Sequence, residues 1–247
     1  MKPTKAIVAT DNNPIYYPFW NTVSKFWYKV IGIEPVLIYV GTETPTVMNL
    51  SDKYGEVVHF NLREKNLNFK TSTMAQTIRH FGATRYPDDI CILSDADMLP
   101  LNKDYYLNQQ EVLDFDDDGV CFYSSDWPEP NRYPMCYIAA KGSNFKEIIG
   151  SDYDQFDEEI EKWISHGHGW DTDEKVFYDK WKKSRFKDNS LFLKRGWSNN
   201  IATNRIDRVV IQRLDWNKLD NYVDFHMLRP FTKNRDVLKR ISSHFGV

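Results

Sequence analysis

The chain has 247 residues, 41% hydrophobic and 27% charged, which is enough apolar content to pack a core and too much for a disordered segment. Its 32 basic and 35 acidic side chains leave a formal charge of −3, without the basic excess of a dedicated duplex-DNA binder, so no nucleic-acid partner is expected. No apolar run approaches the ~18 residues that span a bilayer, no signal peptide is read at the start, and Cys91, Cys121 and Cys136 sit in apolar runs as reduced thiols; a cytoplasmic location is expected.

Lys5 to Ala9 reads as a strand that gives way to the turn-forming Thr10-Asp11-Asn12-Asn13-Pro14. Phe19, Val23, Phe26, Trp27 and Val30 share one helical face, stopped at Gly32. Pro35–Val40 and Glu56–Phe60 read as strands, and Met74, Ile78 and Phe81 mark a helix with Gly82 as its C-terminal cap. Ile90–Leu93 is continuously apolar, the pattern of a strand buried on both faces. Strand-like runs follow at Val120–Ser124 and Met135–Ala139, then helical faces through Phe156, Ile160, Trp163 and Ile164 and through Val176, Phe177 and Trp181. Tyr222–Phe225 reads as a last strand and Val237, Leu238, Ile241 and Phe245 as a closing helix. This succession predicts an α/β domain with an open, mostly parallel sheet flanked by helices. Its ligands are then expected beyond the carboxyl ends of the strands.

Two acidic groups fall at such ends, Asp11 after the first strand and Asp95 with Asp97 after Ile90–Leu93. Five Asp-x-Asp triplets occur in the chain, and only Asp95-Ala96-Asp97 directly follows a buried-type strand. Carboxylate oxygens at that position suit Mg²⁺ or Mn²⁺, which commonly bridges protein to diphosphate. A second cluster runs from His166 to Glu174. Asp171 and Glu174 have capping-box spacing, while a carboxylate here could also serve a substrate hydroxyl; zinc on His166 and His168 is the weaker reading. A third, around Asp224-Phe225-His226, offers an imidazole ligand at His226 and an anion-binding guanidinium at Arg229. Dinucleotide-binding, Walker A and nucleophile-elbow motifs are absent.

In order along the chain, Ala9-Thr10-Asp11-Asn12 with Tyr16 and Tyr17 behind, Tyr86 to Asp97, Asp171-Thr172-Asp173, and His226 with Arg229-Pro230-Phe231 resemble the GT-A-fold glycosyltransferases that use nucleotide sugars, especially the galactosyltransferase and glycogenin-like group. The chain is similar as well to compact glycosyltransferases of large algal viruses. The resemblance implies one domain over residues 1–247, with a nucleotide- and metal-binding half to about 125 and an acceptor half from about 126. It implies that Thr10, Asp11 and Asn12 line a nucleoside pocket, with Tyr16 or Tyr17 near the base, and that Arg79 touches the donor. Asp95 would contact ribose and metal, Asp97 and His226 would ligate Mn²⁺ or Mg²⁺, and Arg229 would hold the diphosphate. Asp171 or Asp173 would face the transferred sugar or the acceptor. The implied donor is a UDP-sugar, the acceptor a glycan, glycoprotein or glycolipid, and the outcome retention at the anomeric carbon.

Two departures stand out. The stretch that reads the donor sugar in the family is here Pro134 to Ala140, and Arg229 stands where the family has Lys. Competing readings are an aspartate-nucleophile phosphatase of the haloacid-dehalogenase type, which also begins from a buried strand ending in Asp-x-Asp, and a non-catalytic nucleotide or sugar binder.

Overall fold

The computed structural model describes residues 1–65, 67–123, 131–193, 204–208 and 214–247. Its strands are β1 (Lys5–Asp11), β2 (Glu34–Gly41), β3 (Glu56–Asn61), β4 (Ile90–Ser94), β5 (Met98–Pro100), β6 (Val120–Phe122), β7 (Ile138–Lys141), β8 (Ser190–Phe192), β9 (Asn204–Ile206) and β10 (Tyr222–His226). Its helices are α1 (Trp20–Phe26), α2 (Thr71–Ala83), α3 (Lys103–Leu107), α4 (Gln110–Leu113), α5 (Gly142–Ile149), α6 (Phe156–Ser165), α7 (Thr172–Lys183) and α8 (Arg235–Phe245).

Seven strands form the main sheet, in the order β3-β2-β1-β4-β7-β6-β8. All its pairings are parallel except the two that β7 makes, with β4 and β6, so β7 alone runs against the rest. The expected mostly parallel α/β sheet is therefore present. Its strands read as apolar runs because both faces are covered. In β1, Ala6 and Val8 join one core cluster and Ile7 the other; in β4, Ile90 and Ile92 join the first, Cys91 and Leu93 the second. The first face is closed by α1, α3 and α8 together with β5 and β10, the second by α2, α5, α6 and α7. Among the described residues no helix is long and apolar enough to cross a membrane.

Three predicted details change. Gly82 does not cap α2 but lies inside it. A Cβ there would stand 2.7 Å from Ile38 Cγ1 and 3.3 Å from Ile7 Cγ2, so the missing side chain lets α2 settle onto β1 and β2. The strand expected over Met135–Ala139 begins at Ile138 instead, where pairing with Leu93 and Phe122 starts; Met135 to Tyr137 are buried, and burial gave them the same apolar signature. The strand expected over Val120–Ser124 ends at Phe122, and Ser124 lies outside the described residues. The first helix does stop at Gly32, after a π-helical turn over Trp27–Ile31.

A second, three-stranded sheet runs β5-β10-β9. Antiparallel pairing of β5 with β10 sets His226 opposite Met98, and the Met227 N–H donates to the Asp97 carbonyl at 3.0 Å. Backbone pairing, rather than a side-chain contact, thus carries a residue of the last strand to the Asp-x-Asp segment.

Candidate active site

A cavity of about 360 Å³ opens at the carboxyl ends of β1 and β4. Asp11 closes β1 and is fixed there by the Thr71 hydroxyl, which donates to its Oδ2 at 2.7 Å, and by the Asn13 N–H at 3.1 Å. Thr71 is the first residue of α2, so the acid at the strand end and the helix start are tied together.

Arg79 projects from α2 and is 6% exposed. Its guanidinium bridges two carboxylates, donating from Nη1 to Asp95 and from Nη2 to Asp173 Oδ2, the latter at 2.6 Å. One buried cation serves a half-buried acid, Asp95, and a buried one, Asp173, and they respond differently. Burial pushes Asp95 up, but Arg79 outweighs it and holds that carboxyl at about 2. At Asp173, 2% exposed, burial wins over the same guanidinium and the carboxyl is raised.

Asp97, 3% exposed, faces three nitrogen groups: Arg229 Nε at 2.6 Å, His226 Nε2 at 3.5 Å and Arg208 Nη1 at 3.6 Å from its Oδ2. Burial raises its pKa and these neighbours, His226 and Arg229 foremost, bring it below the ordinary value. Arg229 also donates from Nη1 to the Tyr16 hydroxyl at 2.7 Å and lies over that ring, 4.7 Å from its centroid. On the other side of His226, Nδ1 is 3.6 Å from Asp207 Oδ2. At the cavity's rim Arg132 Nη1 reaches Asp171 at 2.7 Å and Glu174 at 3.3 Å. Burial and the charge of Asp173 push Glu174 up to about 8 against the pull of Arg132.

Thr10, Asp11, Tyr16, Arg79, Asp95, Asp97, Asp171, Asp173, His226 and Arg229 all line this cavity, although they come from five separate stretches of sequence. Asn12 is not brought in; it is exposed beyond the end of β1. Asp171 is the residue before α7, but its side chain makes no capping hydrogen bond. The carboxylate is held instead by Arg132 and, at 3.3 Å, by Lys175, which corrects the capping-box reading. His166 and His168 stack on each other at 5.9 Å outside the cavity. Among the described residues no group of three or more His, Cys, Asp or Glu side chains is gathered to hold a metal, so the zinc reading of this pair has no third ligand among them.

An octahedral divalent cation needs fewer protein ligands than that. Mg²⁺-type ions are commonly held by one or two carboxylates plus substrate phosphates. Asp97 Oδ2 and His226 Nε2 are 3.5 Å apart, a span that one ion with ligand bonds of ~2.1 Å can bridge. Asp207 Oδ2 lies 3.6 Å from the other imidazole nitrogen, on the side where an orienting carboxylate would stand. The donor set thus fits a Mn²⁺- or Mg²⁺-like ion at Asp97 and His226. Asp95 is partly exposed beside them, with Arg79 on its Oδ1.

Compared with solved structures, the chain superposes over 98% of its length on 95% of the galactosyltransferase LgtC, in a complex with donor and acceptor sugar analogs, with a TM-score of 0.52 and 10% identity. An active-site mutant of LgtC matches over 98% of this chain and 96% of that one, with a TM-score of 0.54 and 9% identity. The fold is the GT-A fold of glycosyltransferases. A glycosyltransferase involved in glycosylation of the major capsid of PBCV-1 also matches, over 96% of this chain and all of that one, with a TM-score of 0.45 and 8% identity. No protein-family model matches the sequence, and no curated protein matches it.

Within this GT-A fold the cavity is lined by further residues that the sequence did not mark: Ser72 and Gln76 on α2, Arg132, Cys136, Trp170, Arg205 and Arg208. The arginines come from irregular segments or short strands, where no periodicity singles out one basic residue. Arg205 is anchored at 2.9 Å on Asp224, a fully buried carboxylate inside β10. Asp224, set between the apolar Val223 and Phe225, was the available signal, because a buried charge requires a partner.

Proposed function

We propose that this protein transfers a sugar from a nucleotide-diphosphate donor, a UDP-sugar by resemblance, to a hydroxyl of a glycan, glycoprotein or glycolipid acceptor. The observation that carries the reading is convergence. Asp11 at the end of β1, Asp95 and Asp97 after β4, and His226 and Arg229 from the end of the chain line one cavity, in a fold otherwise seen in a galactosyltransferase.

In this reading Thr10, Asp11 and Tyr16 form the nucleoside end, where Tyr16 offers a ring face. Asp97 and His226 hold the divalent cation, with Asp95 beside them; the bound cation would neutralise the charge that develops on the departing diphosphate. Arg229 supplies a guanidinium to the same phosphates, and Arg79 keeps Asp95 ionised and fixed. Asp171 or Asp173 would face the transferred sugar or the acceptor, and the one that faces the donor would steady positive character on the sugar ring, by analogy with glycoside hydrolysis. Asn12, outside the cavity, is not assigned a role. The anomeric outcome follows the resemblance, retention, and is read from the product's coupling constant. An aspartate-nucleophile phosphatase is not favoured, since the fold matches that of solved glycosyltransferases.

The test is a thermal-shift panel of nucleotide diphosphates and nucleotide sugars with and without Mn²⁺, followed by donor turnover in Asp97→Asn. Preferential stabilisation by a nucleotide with Mn²⁺ is expected, and turnover in the variant should fall by about 100-fold or more, as for loss of one transition-state charge stabiliser. Unchanged turnover in a folded Asp97→Asn protein would refute the assignment. Nucleotide binding without any transfer or donor hydrolysis would leave a binding protein.

A further inference from the structure

Trp170 is the one exposed tryptophan among those described: 59% exposed, whereas Trp20, Trp27, Trp163 and Trp181 are buried and Trp216 is half-buried. A single exposed aromatic on a protein surface needs no explanation. This one borders the same cavity as the candidate site. It sits in a tight turn, Gly169–Asp171, entered through Gly169 at φ +59°. A Cβ at Gly169 would meet nothing within 4 Å, so glycine is needed there for the left-handed backbone and not for close packing. The turn therefore holds the indole out at the rim.

Its neighbours complete the chemistry. Asp171, next in sequence, is 31% exposed and anchored by Arg132. Glu174, one helical turn on, also meets Arg132 and is 24% exposed. An apolar plate with hydrogen-bonding carboxyl groups beside it matches a pyranose ring, whose axial C–H bonds make one face apolar while its hydroxyls form a polar belt. An indole is well suited to the first and carboxyl groups to the second.

We infer that Trp170 is the stacking platform of an acceptor subsite, so that the acceptor presents a pyranose unit there, its C–H face on the indole and its hydroxyls toward Asp171. This rests on the glycosyl-transfer reading above and narrows the acceptor to a carbohydrate, as against an unglycosylated protein hydroxyl.

The experiment is saturation-transfer NMR on the whole protein with methyl β-D-glucopyranoside, methyl β-D-galactopyranoside and methyl β-D-xylopyranoside, in wild type, Trp170→Phe and Trp170→Ala. In wild type the ring C–H protons of at least one glycoside should take up saturation. Trp170→Phe should keep part of the effect, and Trp170→Ala should weaken affinity about three- to tenfold, the loss expected for one ring contact. Thermal unfolding checks that both variants fold. No transfer to any glycoside in wild type, or equal transfer in Trp170→Ala, would overturn the subsite. So would turnover on an unglycosylated Ser/Thr peptide that exceeds turnover on the glycosides. UDP with Mn²⁺, run on the wild type in parallel, separates the two levels. A nucleotide shift alongside a failed glycoside arm removes only the subsite, whereas no nucleotide shift removes the reading beneath it.

Discussion

Arg229 Nε donates to the same Asp97 oxygen that lies 3.5 Å from His226, so a divalent ion held there, as proposed, would compete with this guanidinium for one carboxylate. On the proposed reading, removing the guanidinium should have opposite effects on the two ligands. Arg229→Ala should bind Mn²⁺ about tenfold more tightly in the absence of nucleotide, the equivalent of one charged hydrogen bond, and should bind UDP more weakly. Electron paramagnetic resonance of free Mn²⁺ and UDP calorimetry measure the two, and a parallel loss of both would show that Arg229 only braces the site. Tyr16 belongs to the same unit, because it accepts from Arg229 and stacks under it. Sequence marked Asp97, His226 and Arg229 separately; that they meet on one oxygen is a matter of geometry across 132 positions.

Helix α2 is the element on which the site depends, since it brings Thr71 to Asp11 and Arg79 to Asp95 and Asp173. It is pressed on the sheet at Gly82 and on α7 at His80, whose ring stacks on Phe177 at 4.8 Å. Gly82→Ala would gain about 1 kcal/mol of helix propensity and lose about 1–3 kcal/mol to the clash with Ile38. The expected result is a net destabilisation of about 1 kcal/mol, with a larger fall in turnover because Arg79 moves with the helix. Urea denaturation and donor turnover test this; a stabilised, fully active variant would show that Ile38 yields freely. His80 is buried with neither ring nitrogen hydrogen-bonded. His80→Phe keeps the ring contact and removes two unsatisfied polar atoms, and should stabilise the protein by about 1–2 kcal/mol. The amphipathic spacing that revealed α2 could not show which of its residues meets the sheet at van der Waals distance. Gly82 looked like a cap because glycine near the end of a helical pattern usually is one.

For the molecule as a whole, pH dependence follows from groups whose folded and unfolded pKa values differ. Burial holds His80 well below its ordinary 6.5, so the unfolded chain binds that proton more readily, and stability falls as pH drops below 6.5. Burial and Asp173 raise Glu174 from 4.5 to about 8. The folded chain then holds the extra proton, and stability falls as pH rises through that interval. His226 acts in the same sense above 6.5, since burial lowers it but Asp207 and Asp97 raise it further. Between 4.5 and 6.5 the His80 and Glu174 slopes oppose each other. Metal-free protein should therefore be most stable in that window and lose stability toward pH 8. Glu174→Gln should flatten the upper decline, as read from melting temperature against pH; an unchanged decline would place its origin elsewhere.

The sequence by itself determined the α/β class and the site's acidic poles. Strands covered on both faces must be apolar throughout, and an Asp-x-Asp directly after such a strand has to emerge at the sheet edge where ligands bind. The resemblance in motif order added the glycosyl-transfer expectation and brought in Thr10, Tyr16, Arg79 and Asp173, which line the cavity. Tertiary structure alone decided which carboxylate each arginine serves, that Asn12 stays outside, that Asp171 answers to Arg132 rather than to its own helix, and that Trp170 borders the cavity. Those outcomes depend on partners far apart in the chain, and the desolvation that makes each pairing necessary arises only when the chain has folded around it.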